Sequence, residues 1–185
     1  AAHTIPREFT KDPDAYLDTV LDERVLKRIH DEGLAEFCDV FCEANVFDRA
    51  QSRRVLAAGL TLDMPPKIHA DEFKTLGGVA LAVELGAVSA DHLVCTPPEE
   101  IELLARSDTI AVALPGTPFG LGHSDYTPAR ALVDAQVDRS DRIEHPERFR
   151  DIAQFDSGRH SGRAYLRAVR HPCDRRAVVE RPTPP

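Results

Sequence analysis

Leu17, Val20, Leu21, Val25 and Ile29 recur at three- and four-residue steps, which predicts one amphipathic helix over residues 14–31, closed by Gly33. Residues 35–42 are β-prone, and Asp39 and Glu43 bracket their otherwise buried stretch. A second helix is predicted over 48–61 with Asp48 as its N-cap. Pro65-Pro66 then force an extended entry into a strand carrying Ile68 and His69. Leu76, Val79, Ala80 and Val83 mark the stripe of a third helix over 76–85, where Gly77-Gly78 permit close backbone approach. A strand over 88–93 follows. The next helix is predicted to start with Thr96 as cap, proline in its first turn, and Glu99 and Glu100 beside the positive end of its dipole; Ile101, Leu104 and Ala105 form its buried face. Residues 109–114 are nearly all β-branched or small and apolar, as in a strand covered on both faces. They open into a glycine- and proline-rich loop, 115–126, and a helix over 128–135. Alternating helix and strand predicts an α/β fold with parallel strands, the rhythm of a (β/α)8 barrel.

Composition narrows this. A complete barrel takes about 250 residues, so the 185 residues here predict a partial one. The net charge of −8 is uneven: residues 1–138 carry 12 basic and 24 acidic side chains, whereas 139–185 carry 11 and 7. An acidic, lysine-poor body is a poor partner for nucleic acid. No apolar run approaches the roughly 18 residues of a membrane span, and nothing at the start reads as a signal peptide, so no membrane partner and a cytoplasmic location are expected. Cys38, Cys42, Cys95 and Cys173 lack C-x-x-C spacing and read as buried reduced thiols. Residues 139–185, with 11 of the 19 arginines, lack the apolar content to offset ordering; they are expected to form a divergent, poorly structured tail after a partial barrel over 1–138.

Chemistry concentrates at two strand ends. The approach Lys67-Ile68-His69-Ala70-Asp71-Glu72-Phe73 ends in an imidazole and two carboxylates, and the run 86–93 ends in Asp91-His92. In a (β/α)8 barrel this is the rim that carries active sites. A lone histidine at a strand end is ordinarily a hydrogen-bonded residue. Two on successive strands point to a metal or catalytic rim, since neutral imidazole is the commonest metal ligand and carboxylates supplement it.

At these residues the chain resembles the imidazolonepropionase family of the amidohydrolase superfamily. The resemblance is carried by Phe37-Cys38-Asp39-Val40-Phe41-Cys42-Glu43, by 67–73 with Leu76-Gly77-Gly78, by Ser89-Ala90-Asp91-His92-Leu93 and by Leu114-Pro115-Gly116-Thr117, in order over about residues 1–138. It implies a partial barrel of the metal-dependent amidohydrolase type, from the end of the third strand through the seventh. The implied reaction is hydrolysis of 4-imidazolone-5-propanoate to N-formimidoyl-L-glutamate in histidine degradation, with one zinc or iron ion as cofactor, a small-molecule substrate and a homodimer when full length. By the same resemblance His69 is the fifth-strand metal ligand. His92 is the sixth-strand histidine that polarises the substrate carbonyl or moves protons, its alternative being a structural role. Glu72 is a catalytic and substrate-binding carboxylate that contacts the imidazolone ring, its alternative a solvated rim acid. His3 is a substrate-binding histidine after the third strand. Asp71 and Asp91 read as structural.

The departures shape the expectation. The resemblance implies four metal ligands, and only His69 lies in this chain. Where an eighth-strand Thr-Asp is due, near residue 144, the chain reads Asp141-Arg142-Ile143-Glu144-His145-Pro146. A slipped reading frame would account for this, because 145–149 can be encoded so that a one-nucleotide shift reads Thr-Pro-Asn-Ala-Phe. The expectation is a fragment inactive alone. Two other readings stand beside it: another metal-dependent amidohydrolase, such as a deaminase or cyclic amidase, and a degenerate half-barrel kept as a non-catalytic scaffold.

Overall fold

The computed structural model describes residues 2–137. The expected tail at 139–185, its frame slip and Cys173 lie outside the described residues. Four parallel strands, β1 (Cys38–Cys42), β2 (Pro66–Ala70), β3 (Ser89–His92) and β4 (Ile110–Val112), form one sheet in chain order. Ala2 bridges to Val40 in parallel on the free side of β1, so the residue before His3 ends a further strand position. The helices are α1 (Pro13–Val20), α2 (Glu23–Asp31), α3 (Arg49–Leu60), α4 (Gly78–Glu84), α5 (Pro98–Ala105), α6 (Gly116–Leu121) and α7 (Ala129–Asp134). Parallel strands in chain order, joined by helical crossovers, are the repeat unit of a (β/α)8 barrel. The chain is a partial barrel of this kind, and the described strands are an arc of it.

The register explains which residues face the site. Asp39 pairs with Lys67, Phe41 with His69, Lys67 with Ser89 and His69 with Asp91, so these six line one face of the sheet. Val40, Cys42, Ile68, Ala70 and Ala90 line the other, and all five are buried in the core with Leu56, Val79, Leu81 and Leu104. That face is covered by helices at very short range. An added Cβ on Gly59 of α3 would lie 2.2 Å from the Cys38 Cβ, and one on Gly78 of α4 would lie 2.7 Å from the Ala70 Cβ. Glycine at these positions lets the helix backbone sit directly on the sheet.

Several boundaries depart from the sequence expectation for local reasons. The helix predicted over 14–31 is two helices, because the Asp22 carboxylate accepts the Arg24 N–H at 2.9 Å and starts α2 there. Asp48 caps α3 as expected, with a full capping box: its carboxylate accepts the Gln51 N–H at 2.8 Å and the Gln51 side chain accepts the Asp48 N–H at 3.1 Å. Thr96 does not cap α5. Pro97 holds the N-cap position without a side-chain bond, and the Thr96 hydroxyl instead donates to Asp71 Oδ2 at 2.9 Å. The loop predicted over 115–126 contains α6. Of the described thiols, Cys42 is buried and Cys38 half-buried, but Cys95 is exposed, contrary to the expectation of burial. No helix among the described residues is long and apolar enough to cross a membrane.

Candidate functional site

The C-terminal ends of β1, β2 and β3 bring the histidines predicted from the sequence onto one rim. His69 projects from the inner face of β2, and its ring centroid lies 4.4 Å from that of His3 and 5.3 Å from that of His92. Strict alternation would send His92 to the helix side, because it pairs with Ala70. It reaches the rim instead because the chain leaves β3 in a left-handed bend, with φ of 77° at His92 and 58° at Leu93. Such conformations are costly for residues with a Cβ and need external support. The Leu93 N–H donates to the Ala70 carbonyl at 3.1 Å, and the Thr127 hydroxyl donates to the His92 carbonyl at 2.5 Å. Glu72, on the loop after β2, places Oε2 3.4 Å from His92 Nε2.

Asp39 organises the other side. Its Oδ2 is 2.9 Å from His3 Nε2 and its Oδ1 is 3.2 Å from His69 Nδ1, so one carboxylate holds two imidazoles. Burial alone would raise the Asp39 carboxyl, but these two hydrogen bonds outweigh it and keep it well below the usual carboxylate range. Burial would likewise lower His69, yet the Asp39 hydrogen bond and the charges of Asp39 and Asp91 raise it. With Nδ1 turned to Asp39, His69 Nε2 faces Asp91 Oδ2 at 4.0 Å. His3, Asp39 and His69 each offer a donor atom within 4.8 Å of the others, a nitrogen and oxygen set of the type that holds divalent transition metals.

Three carboxylates around the rim are shielded from water. Burial and the neighbouring Glu43 charge raise the Glu72 carboxyl, while His69 and His123 pull it back. Burial raises Asp91 as well. Asp71, fully buried at a φ of 56°, is pushed up to about 6 by burial and by the charges of Glu100 and Glu43, against the Thr96 hydrogen bond. Its Oδ1 has no hydrogen-bond partner among the described residues.

Two participants were not assigned roles by sequence reading. Asp39 and Glu43 read only as acids bracketing a strand, whereas Asp39 anchors His3 and His69, and Glu43 accepts backbone N–H groups from two loops. The signal available was an acid inside a β-prone run, since a charge there must find partners or be expelled.

No protein-family profile matches the chain. Among solved structures, an adenosine deaminase from Xanthomonas campestris with bound zinc superposes at a TM-score of 0.47 with 23% identity, over 60% of this chain and 29% of that one. An amidohydrolase from a Sargasso Sea sample gives 0.46 and 22%, over 74% of this chain and 34% of that one. Sequence likeness is much higher. The imidazolonepropionase of Herpetosiphon aurantiacus is 51% identical over 72% of this chain and 33% of its own length. Those of Bacillus velezensis and Alkaliphilus metalliredigens are 50% and 48% identical, each over 74% of this chain and 32% of its own length. The chain is thus related to the imidazolonepropionases, and it spans about a third of the length of the curated relatives it matches.

Proposed function

We propose that this chain supplies part of the active site of an enzyme that hydrolyses 4-imidazolone-5-propanoate to N-formimidoyl-L-glutamate in histidine degradation. The observation that carries the reading is the convergence of His69, His92 and Glu72 on one rim, in a chain about half identical to imidazolonepropionases. In this reaction water adds its oxygen to the ring carbonyl carbon, the C–N bond breaks, and a proton must reach the departing ring nitrogen.

The rim fits one divalent metal ion, zinc or iron. His69 would hold it, because the Asp39 contact at Nδ1 leaves Nε2 as the coordinating nitrogen, the carboxylate–histidine pairing usual for metal ligands. Such an ion supplies Lewis acidity, polarising the carbonyl and easing deprotonation of water at neutral pH. Glu72 takes the proton that the attacking water gives up and delivers it to the departing ring nitrogen; its raised carboxyl value moves it toward the pH at which it can both take and give a proton. His92, with Nε2 3.4 Å from Glu72 Oε2, is placed to share that proton path and would polarise the substrate carbonyl. His3, fixed through Nε2 by Asp39, keeps Nδ1 for a hydrogen bond to the substrate in this reading.

The test is loss of the ultraviolet absorbance of imidazolone propanoate, with zinc or ferrous ion supplied, using the product of the gene's whole reading frame. Glu72→Gln and His92→Ala are each expected to lower kcat by about 100-fold or more, and His69→Ala to lower both turnover and metal content. Turnover that survives all three substitutions would overturn the proposal.

A further inference from the structure

We propose that Glu43 is the positioning residue for Glu72: a buried carboxylate that ties the loop after β1 to the loop after β2 and thereby sets where the Glu72 side chain stands on the rim. The inference rests on the reading of Glu72 as the proton carrier.

Glu43 follows the last residue of β1 and is 2% exposed. Both of its oxygens are taken by backbone N–H groups. Oε1 accepts from Ala44 at 2.7 Å, and Oε2 accepts from Phe73 at 2.9 Å and Lys74 at 3.2 Å. The Phe73 N–H belongs to the peptide unit whose carbonyl carbon is that of Glu72, so Glu43 grips the Glu72 main chain itself. Its own loop is fixed. The Glu43 N–H donates to the Phe47 carbonyl at 3.1 Å, the Val46 N–H donates to the Glu43 carbonyl at 3.0 Å, and Phe47 is fully buried.

The opposite side of the Glu72 loop is secured separately. The Cys95 N–H donates to the Asp71 carbonyl at 2.8 Å, and the Thr75 hydroxyl donates to the Cys95 carbonyl at 2.7 Å. Glu43 therefore supplies the β1 side of a two-sided mount, and a charge-assisted bond to each N–H is roughly twice as strong as a neutral one. A carboxylate is suited to the place. It offers only acceptors to three donors, whereas a carboxamide would turn its NH2 toward at least one N–H.

The experiment is a double-mutant cycle read by NMR on the full 185-residue chain: wild type, Glu43→Gln, Glu72→Gln and the double variant. Two signatures are followed, the amide protons of Phe73 and Lys74 and the ring nitrogen resonances of His92. Glu43→Gln is expected to move both amide protons upfield and to change the His92 signature in the same sense as Glu72→Gln, with no further His92 change when Glu72 is already Gln. General loosening would instead perturb His92 equally in both backgrounds, and that result overturns the proposal. So does a His92 signature untouched by Glu43→Gln while the amides move.

If Glu43→Gln fails to fold, deuterium exchange in the wild-type chain decides. Phe73 and Lys74 amides that exchange as fast as free loop amides would overturn the clamp, and Glu43→Asp, which keeps the charge but shortens the reach, is expected to speed their exchange. Failure of the underlying reading looks different: turnover indifferent to Glu72→Gln, with the NMR coupling between Glu43 and Glu72 intact.

Discussion

Asp71→Asn isolates the cost of one buried charge. Asp71 is fully buried, its Oδ2 is met by the Thr96 hydroxyl, and the hydrogen bonds it receives do not offset the cost of burying its charge. Its carboxyl is pushed from the ordinary 3.8 to about 6. As pH rises through that window the unfolded chain gives up the proton first, so the folded state loses stability. Each pH unit of difference is worth about 1.4 kcal/mol. The loss on this group is therefore about 1 kcal/mol at pH 4.5 and about 3 kcal/mol once the pH exceeds 7. Asparagine keeps the shape and does not titrate. Urea unfolding of both chains from pH 4.5 to 7.5 is expected to show the stability of Asp71→Asn relative to wild type increasing by about 2 kcal/mol. Titrating groups that do not interact with Asp71 contribute equally to both chains and drop out of the difference, which reads Asp71 together with the Glu43 and Glu100 charges that act on it. A difference that stays flat across the range, or shrinks, refutes the account.

The Asp39 and His69 pair gives the opposite shape. Asp39 is depressed and His69 raised, so the stability they share is present above 3.8, is lost as pH falls below it because the unfolded chain takes up the Asp39 proton before the folded one does, and is lost again as pH climbs beyond 6.5 through the raised histidine value. The penalty of Asp39→Asn in urea melts is therefore expected to peak at about pH 5 and shrink on both sides. Gly59→Ala should gain up to about 1 kcal/mol of helix propensity and lose about 1 to 3 by overpacking against Cys38, so a net loss is expected by thermal melting. Asp48→Ala removes the capping box of α3 and should lower stability by about 1 kcal/mol. Calorimetric titration of the 185-residue chain with zinc is expected to show weak binding that His69→Ala abolishes.

The strands and most helices were legible because apolar spacing decides them: α3 and its Asp48 cap, α4 and the strand ends at His69 and His92 follow from period and proline alone. What the periodicity could not carry was competition among local hydrogen bonds. Asp22 divides a helix that the apolar stripe treats as continuous, and Thr96 gives up a cap for a bond to Asp71, a partner 25 residues away. At the rim, His69 and Glu72 were legible from their place just beyond an apolar run. His92 was named, but the means by which it reaches the rim was hidden, because two left-handed non-glycine residues leave no compositional trace. Asp39 and Glu43 were visible as acids in a strand, and their partners were set by register and loop geometry rather than spacing.

The agreement of strand order with chain order has a consequence for how the site comes into being. Each strand hydrogen-bonds to the one made just before it, so every docking step closes only a short loop and can proceed as the polypeptide leaves the ribosome. His3 is laid down first and Asp39 next, and β2 brings His69 to them before β3 exists. Glu72 then meets its Glu43 anchor, and Cys95 and Thr96 secure Asp71 afterwards. Last comes the left-handed bend at His92, whose carbonyl receives its hydrogen bond only when Thr127 arrives. A nascent chain halted before that residue would hold the acid, both loops and His69 in place while the His92 turn still lacked its final latch.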